Sequence, residues 1–267
     1  MFLRSWTPER SPRAVLVACH GFHAHGGYFA WAAEQFLSGG LTVVALDLRG
    51  RGRSEGERFY VEDIGQYVGD LASTIAVVRS RYPRIPVFLL GHGAGAVVTA
   101  TYLLDKQAEI AGFICESIAF QLPAPGFALA AIKALSRLVP GLPVLRVRHE
   151  AFSREPRVVE ALNTDALTAH ERQPARTVAA LVRANERLRE QFPLIVLPLL
   201  MVHGTADKAA AFPGSQFLYH AAGSTDKTLK LYAGHYHDLL SDVGREEVVA
   251  DMLRWIVDRL PPWEVLS

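Results

Sequence analysis

The sequence predicts an α/β chain: a mostly parallel, doubly wound sheet covered by helices, with a helical segment inserted into it. Three observations carry this reading. Short apolar runs rich in β-branched residues and leucine recur along the chain. They alternate with segments whose apolar residues fall at helical spacing, the pattern of strand–helix–strand units. One long stretch, from about Ser117 to Phe192, breaks the rhythm with prolines and helical patterns and no convincing strand.

The elements follow in order. Ala14–Ala18 is the first clear strand candidate, and Phe29, Ala32, Ala33 and Phe36 stripe the helix after it. Thr42–Leu46 is the next strand, followed by a stripe of Ile64, Tyr67, Val68, Leu71, Ile75 and Val78. Val87–Leu90 runs through a glycine-rich turn into a helix beginning near Ala94, and Gly112–Cys115 is a further strand. Leu199–Val202 and Thr228–Tyr232 complete the strands, and Val249, Met252, Leu253, Ile256 and Leu260 mark the closing helix. Most of these strands are continuous apolar runs, as expected of parallel strands covered on both faces. No internal repeat or low-complexity stretch is present.

The interruption is punctuated by Pro123, Pro125, Pro140, Pro143, Pro156 and Pro174. Within it, Gly126 to Leu138 reads as an amphipathic helix with Phe127, Ala131, Leu135 and Leu138 on one side. Val178, Leu181, Val182 and Leu188 stripe another helix. A single crossover rarely needs so many residues. Residues 117–192 are therefore expected to form a helical cap on a core made of 1–116 and 193–267.

Composition bounds the function. The 267 residues hold 28 basic and 27 acidic side chains, and no long basic run points to nucleic acid. Cys19 and Cys115 each sit in an apolar, strand-like run, which predicts buried free thiols rather than a disulfide framework. Met1-Phe2-Leu3-Arg4-Ser5-Trp6 has no apolar signal region, and the run Leu194 to Val202 contains Pro198 and is too short to span a bilayer. A soluble cytoplasmic protein is the expectation.

Three candidate sites fall at strand ends, where open α/β sheets bind ligands. The first is Gly91-His92-Gly93-Ala94-Gly95, the strand–turn–helix pattern of a nucleophile elbow, with glycine where a hydrolase carries serine. The second is His203-Gly204-Thr205-Ala206-Asp207 and the third Gly234-His235-Tyr236-His237. The order of nucleophile position, acid and histidine is that of the α/β-hydrolases. A serine hydroxyl attacks only when a base takes its proton, and a carboxylate holds that base in the useful tautomer. Asp207 is the candidate carboxylate and His237 the candidate base, with His235 competing for the role. His20-Gly21-Phe22 follows the first strand. The N–H groups of Phe22 and Ala94 are the expected oxyanion donors. His20, His23 and His25 lie together in a glycine-rich loop without a nearby carboxylate, so no metal site is expected there.

On these residues the chain resembles the monoacylglycerol lipase and lysophospholipase-like branch of the α/β-hydrolases. The resemblance is carried by His20-Gly21-Phe22, the stretch from Asp47 to Arg58, the elbow, Phe152-Ser153-Arg154, Asn163-Thr164-Asp165, His203 to Asp207, and Asp226 to Tyr232 leading into His237. It covers nearly the whole chain, and the most specific part is Gly-Arg-Ser-Glu-Gly-Glu-Arg at 52–58. Two departures stand out. Gly93 replaces the family serine, and the family's first edge strand has no clear counterpart before Phe2–Ser5.

The resemblance implies carboxylic-ester hydrolysis of a single-chain acyl ester through an acyl-enzyme on a serine at 93, with no cofactor and no metal. The cap residues Phe127, Leu135, Leu138 and Leu181 are expected to wall the acyl site, with His92 beside the elbow. Membrane contact through the cap is conceivable on this reading, and oligomeric state is left open. Losing a catalytic serine costs on the order of a millionfold in turnover in a well-studied protease, so this chain is expected to be nearly inactive. An engineered serine-to-glycine replacement is the expected origin of Gly93. The alternatives are a natural non-catalytic ligand-binding relative and a lysophospholipase or other esterase.

Overall fold

A computed structural model describes residues 1–122, 124–146, 148–168 and 171–261; Pro123 lies outside the described residues. The chain begins with β1 (Phe2–Trp6), β2 (Ala14–Cys19), α1 (Ala30–Ser38), β3 (Leu41–Asp47), α2 (Ile64–Arg81), β4 (Val87–His92), α3 (Ala94–Lys106) and β5 (Gly112–Glu116). It continues with α4 (Gly126–Leu138), β6 (Pro143–Leu145), α5 (Pro156–Thr164), β7 (Gln173–Pro174) and α6 (Ala175–Gln191). β8 (Leu199–Gly204), α7 (Pro213–Ala221), β9 (Lys227–Tyr232) and α8 (Arg245–Val257) complete it.

Seven strands form one sheet in the order β1-β3-β2-β4-β5-β8-β9, parallel except for β1. β2 to β5 and β8 are buried along their whole length, as their continuous apolar runs predict. Successive side chains of a strand point to opposite faces. Val15, Val17 and Cys19 accordingly join a core under α2, α3 and α6, while Leu16 and Ala18 join one under α1 and α8. Both cysteines are free and buried, and burial pushes the Cys19 thiol up to about 12.

β2 pairs with β3 on one side and β4 on the other, with Cys19 opposite Gly91. The chain's direction of winding reverses between these two neighbours, and the crevice above such a point is where open α/β sheets bind ligands. The His20–Phe22 loop and the elbow are therefore adjacent because of sheet topology.

Two sequence expectations change. The edge strand without a clear counterpart is β1, antiparallel to β3 with Phe2 opposite Asp47. It carries Arg4 onto the Asp47 carboxylate, and a half-exposed edge strand holding polar residues offers no continuous apolar run to read. The stretch expected to lack strands contains β6 and β7, a short antiparallel pair outside the main sheet. Among the described residues no element between β5 and β8 joins the main sheet, and α6 lies against α2 and α3. Among the described residues no helix is long and apolar enough to cross a membrane.

Candidate active site

Gly93 is the single residue between β4 and α3, at φ +55° and ψ −118°. Side-chain-bearing residues rarely occupy such a conformation. The outer glycines answer to close packing. A Cβ on Gly91 would lie 2.6 Å from Cα of Ala96, and one on Gly95 would lie 2.2 Å from the Cys19 carbonyl oxygen. The bend is pinned to the next strand: the Gly93 N–H donates to the Glu116 carbonyl at 3.0 Å, and its carbonyl accepts from the Ala119 N–H at 3.0 Å.

The second and third sequence sites meet at the elbow. Oδ2 of Asp207 lies 2.7 Å from Nδ1 of His237, and a Cβ on Gly93 would lie 2.9 Å from Nε2 of the same ring. His235 points elsewhere: its ring lies against Tyr232, and Nδ1 is 3.3 Å from the Ala233 carbonyl. Phe152 packs edge-on against His237 at 5.3 Å between ring centroids.

Asp207 is held more tightly than its sequence context suggested. Oδ1 accepts from the N–H groups of Ala209 and Ala210 at 2.7 and 2.9 Å. Oδ2 also lies 2.9 Å from Nε2 of the buried His203, whose Nδ1 is 2.6 Å from Oγ of Ser215. His203 therefore donates from Nε2 and accepts the Ser215 hydroxyl at Nδ1. Burial works against the Asp207 charge, but the His237 ring and the hydrogen bonds from His203 and His237 outweigh it and hold the carboxyl well below the usual range.

The loop at His20–Phe22 lies against the elbow. A Cβ on Gly21 would be 3.0 Å from the His92 carbonyl and 3.3 Å from N of Ala94. His20 donates from Nδ1 to the Gly21 carbonyl at 2.7 Å and accepts the Leu48 N–H at Nε2 at 3.1 Å. Burial lowers its pKa to about 4, which keeps it in that neutral tautomer. Ala94 opens α3, so its N–H has no acceptor one turn back. Arg51, 0% exposed, stacks on the Phe22 ring at 4.3 Å and pairs with Glu171. The same Glu171 oxygen accepts the His23 N–H at 3.0 Å. His25, by contrast, reaches Asp165 at 2.8 Å. The three histidines of the loop thus have separate surroundings.

A cavity of about 320 Å³ opens over the elbow and is bordered by Phe22, Ala94 and His237. Leu181 lines it, and the face of α4 that lines it differs from the one the sequence stripe marks. Leu129 and Ile132 line the cavity, whereas Phe127 and Leu138 are 79% and 82% exposed and Leu135 is half-buried outside the lining. The apolar stripe read from the sequence points away, because the helix rests on α6 through the side that carries the buried Ser136.

His92 lies beneath the site rather than in the cavity. Its Nε2 is 2.9 Å from Oδ1 of Asp238, and its ring is 4.8 Å from that of His237. Burial pulls its pKa down, and the Asp238 and Glu116 carboxylates overcome this and raise it to about 9. His92, His237 and Asp238 also offer potential metal-ligand atoms within 4.8 Å of one another, a grouping the sequence did not suggest. The ion pair accounts for the closeness of His92 and Asp238.

Phe152, His203, Arg51 and Glu171 were not singled out from sequence. His203, Phe152 and Arg51 stand inside stretches that carry the family resemblance, which is the only signal they left. Nothing in the sequence links Glu171 to Arg51.

A sharp glycine-flanked bend, a buried carboxylate and an imidazole meeting over a mostly parallel sheet define an α/β-hydrolase. Residues 10–244 match the family described as Serine aminopeptidase, S33, and the chain belongs to that family, in its monoacylglycerol-lipase-like branch. The monoacylglycerol lipase of Mycolicibacterium smegmatis is 32% identical over 257 residues, 96% of this chain and 92% of that protein. The monoglyceride lipase of Rattus norvegicus is 30% identical over 265 residues, 97% of this chain and 88% of that one. The crystal structure of Paleococcus ferrophilus monoacylglycerol lipase matches with a TM-score of 0.87 at 27% identity, covering 97% of this chain and 98% of that one.

Proposed function

We propose that this chain is built as a monoacylglycerol-lipase-type ester hydrolase whose nucleophile position is held by Gly93. The observation that carries the reading is the alignment of Asp207, His237 and the bend at Gly93 beside one apolar cavity. In the full mechanism a serine hydroxyl at 93 attacks the ester carbonyl as His237 takes its proton. Asp207 holds the ring and stabilises its cation, and the Phe22 and Ala94 N–H groups bind the oxyanion. His237 then protonates the leaving alcohol and afterwards activates water to release the acid. The 117–192 segment serves as the cap, with Leu129, Ile132 and Leu181 against a single acyl chain.

Gly93 has no hydroxyl, so the acyl-enzyme route is closed in this chain while the binding surfaces stay in place. Gly93→Ser tests the reading: it should hydrolyse a medium-chain p-nitrophenyl ester, and a folded but inert variant overturns it.

A second reading, a non-catalytic ester-binding protein, is favoured by one observation. Nε2 of His237 stands too close to Gly93 for an undisturbed Cβ. Tight ester binding without turnover in both the chain and its Gly93→Ser variant would select it.

A further inference from the structure

The cavity over the elbow is apolar through most of its wall, yet its polar lining is of one sign. Arg146, Arg148 and Lys208 border it, and among the described lining residues there is no carboxylate. All three are exposed. Arg148 forms an exposed ion pair with Glu150 at 3.4 Å, which water and salt screen. Lys208 donates to the Tyr236 hydroxyl at 2.6 Å and lies over that ring at 4.2 Å, contacts that leave its charge uncompensated. Among the described residues no carboxylate pairs with Arg146 or Lys208.

Two of these cations adjoin residues of the reactive centre. Lys208 directly follows Asp207. Arg148 precedes by one short turn Phe152, whose ring packs on His237. The acyl wall comes from other elements, with Leu129 and Ile132 on α4 and Val178 and Leu181 on α6. An ester seated with its chain between α4 and α6 and its carbonyl at the Ala94 end would turn its alcohol portion toward Lys208 and Arg148, with Arg146 on the same cavity wall.

We propose that the site selects single-chain acyl esters whose headgroup carries an anion, a phosphate or a carboxylate. This rests on the ester-site reading above and specifies its substrate class. A neutral glycerol headgroup gives the three charges no counter-charge. An anionic one gains attraction to all three and hydrogen bonds from the planar arginine forks. No lining carboxylate opposes it.

The test uses the chain as it stands, titrated calorimetrically with monooctanoylglycerol, its phosphate monoester and its hemisuccinate. Both anionic esters should bind at least about tenfold more tightly than the neutral one, the difference made by one well-formed charge-assisted contact. Raising the salt from about 0.01 to about 1 M, which shortens the screening length from about 30 to about 3 Å, should erase most of the preference. So should the triple variant Arg146→Ala, Arg148→Ala, Lys208→Ala. The ratio of kcat/KM values in Gly93→Ser should follow the same order. Equal binding of neutral and anionic esters, or a preference that survives the triple variant, overturns the inference. If the neutral ester is bound and cleaved as well as the anionic ones, only the headgroup assignment falls. If no ester binds and Gly93→Ser cleaves none, the ester site itself falls with it.

Discussion

Nε2 of His237 stands 2.9 Å from where a Cβ on Gly93 would lie, so the imidazole takes room that a serine side chain would need. The ring is anchored by Asp207 on one nitrogen and by the Phe152 ring on its face. It is nonetheless the end of a side chain, and backing away by a few tenths of an ångström would admit a Cβ and leave its hydroxyl in hydrogen-bond reach.

Gly93→Ser should therefore gain esterase activity and lose stability together. A side chain at φ +55° costs about 1–3 kcal/mol. Thermal or urea melts should show that loss alongside the new p-nitrophenyl esterase rate. A variant as stable as the parent would show that the bend had relaxed away from the elbow geometry.

Without a serine, His237 can still deprotonate a water beside a bound ester. The parent chain should show slow hydrolysis above the buffer rate, abolished by His237→Ala. If the residual rate survives that substitution, it arises elsewhere on the protein.

His203 fixes the second face of the Asp207 carboxylate at 2.9 Å. In the Gly93→Ser background, His203→Phe should lower kcat by about 10- to 100-fold, the value of one charge-assisted hydrogen bond, with KM little changed. A rise in KM alone would reassign His203 to shaping the cavity.

Arg51 and Glu171 form an ion pair with both side chains 1% exposed, and Glu171 also holds the His23 N–H next to Phe22. Removing one partner strands a buried charge. Glu171→Leu should cost about 3–5 kcal/mol, whereas the double change with Arg51→Met should recover most of it. The double variant in the Gly93→Ser background should still lose rate, because Phe22 loses the guanidinium stacked on it. Urea unfolding and esterase assays together separate these effects.

Stability should peak near about pH 6.5. Burial holds His20 and His23 down at about 4, below the value near 6.5 of an unfolded histidine. The unfolded chain then binds more protons between those limits, so stability falls as pH drops from about 6.5 to 4. His92, raised to about 9, works the other way: its contribution is complete below about pH 6.5 and is lost as pH rises through 9. In urea titrations across this range, His23→Leu should flatten the acid limb and His92→Phe the alkaline one. A profile level from about pH 5 to 9 would contradict both assignments.

Much of the scaffold could be read from the residues before folding. Continuous apolar runs located the five buried parallel strands, because a strand covered on both faces needs apolar side chains at every position. The glycines at 91 and 95 and the order of 93, 207 and 237 were legible because a bend and a relay of these types demand particular residues in sequence. β1 was faint because an edge strand needs burial on few of its positions. β6 and β7 were missed because segments of three and two residues carry no period.

What the one-dimensional pattern could not contain is which way things face. The apolar stripe of α4 fits its amphipathic spacing, yet the helix turns Phe127 and Leu138 outward and gives Leu129 and Ile132 to the cavity. Periodicity defines a stripe, while contact with α6 selects the face that is covered. Likewise, His235 and His237 are alike in type, and only the position of His237 further along the loop favours it in the sequence. Only the approach of β8 to β9, which brings the 207 loop alongside the 237 loop, gives one imidazole the carboxylate and leaves the other half-buried against Tyr232. Residue chemistry sets what a position is able to do, and packing between segments distant in the chain sets which positions do it.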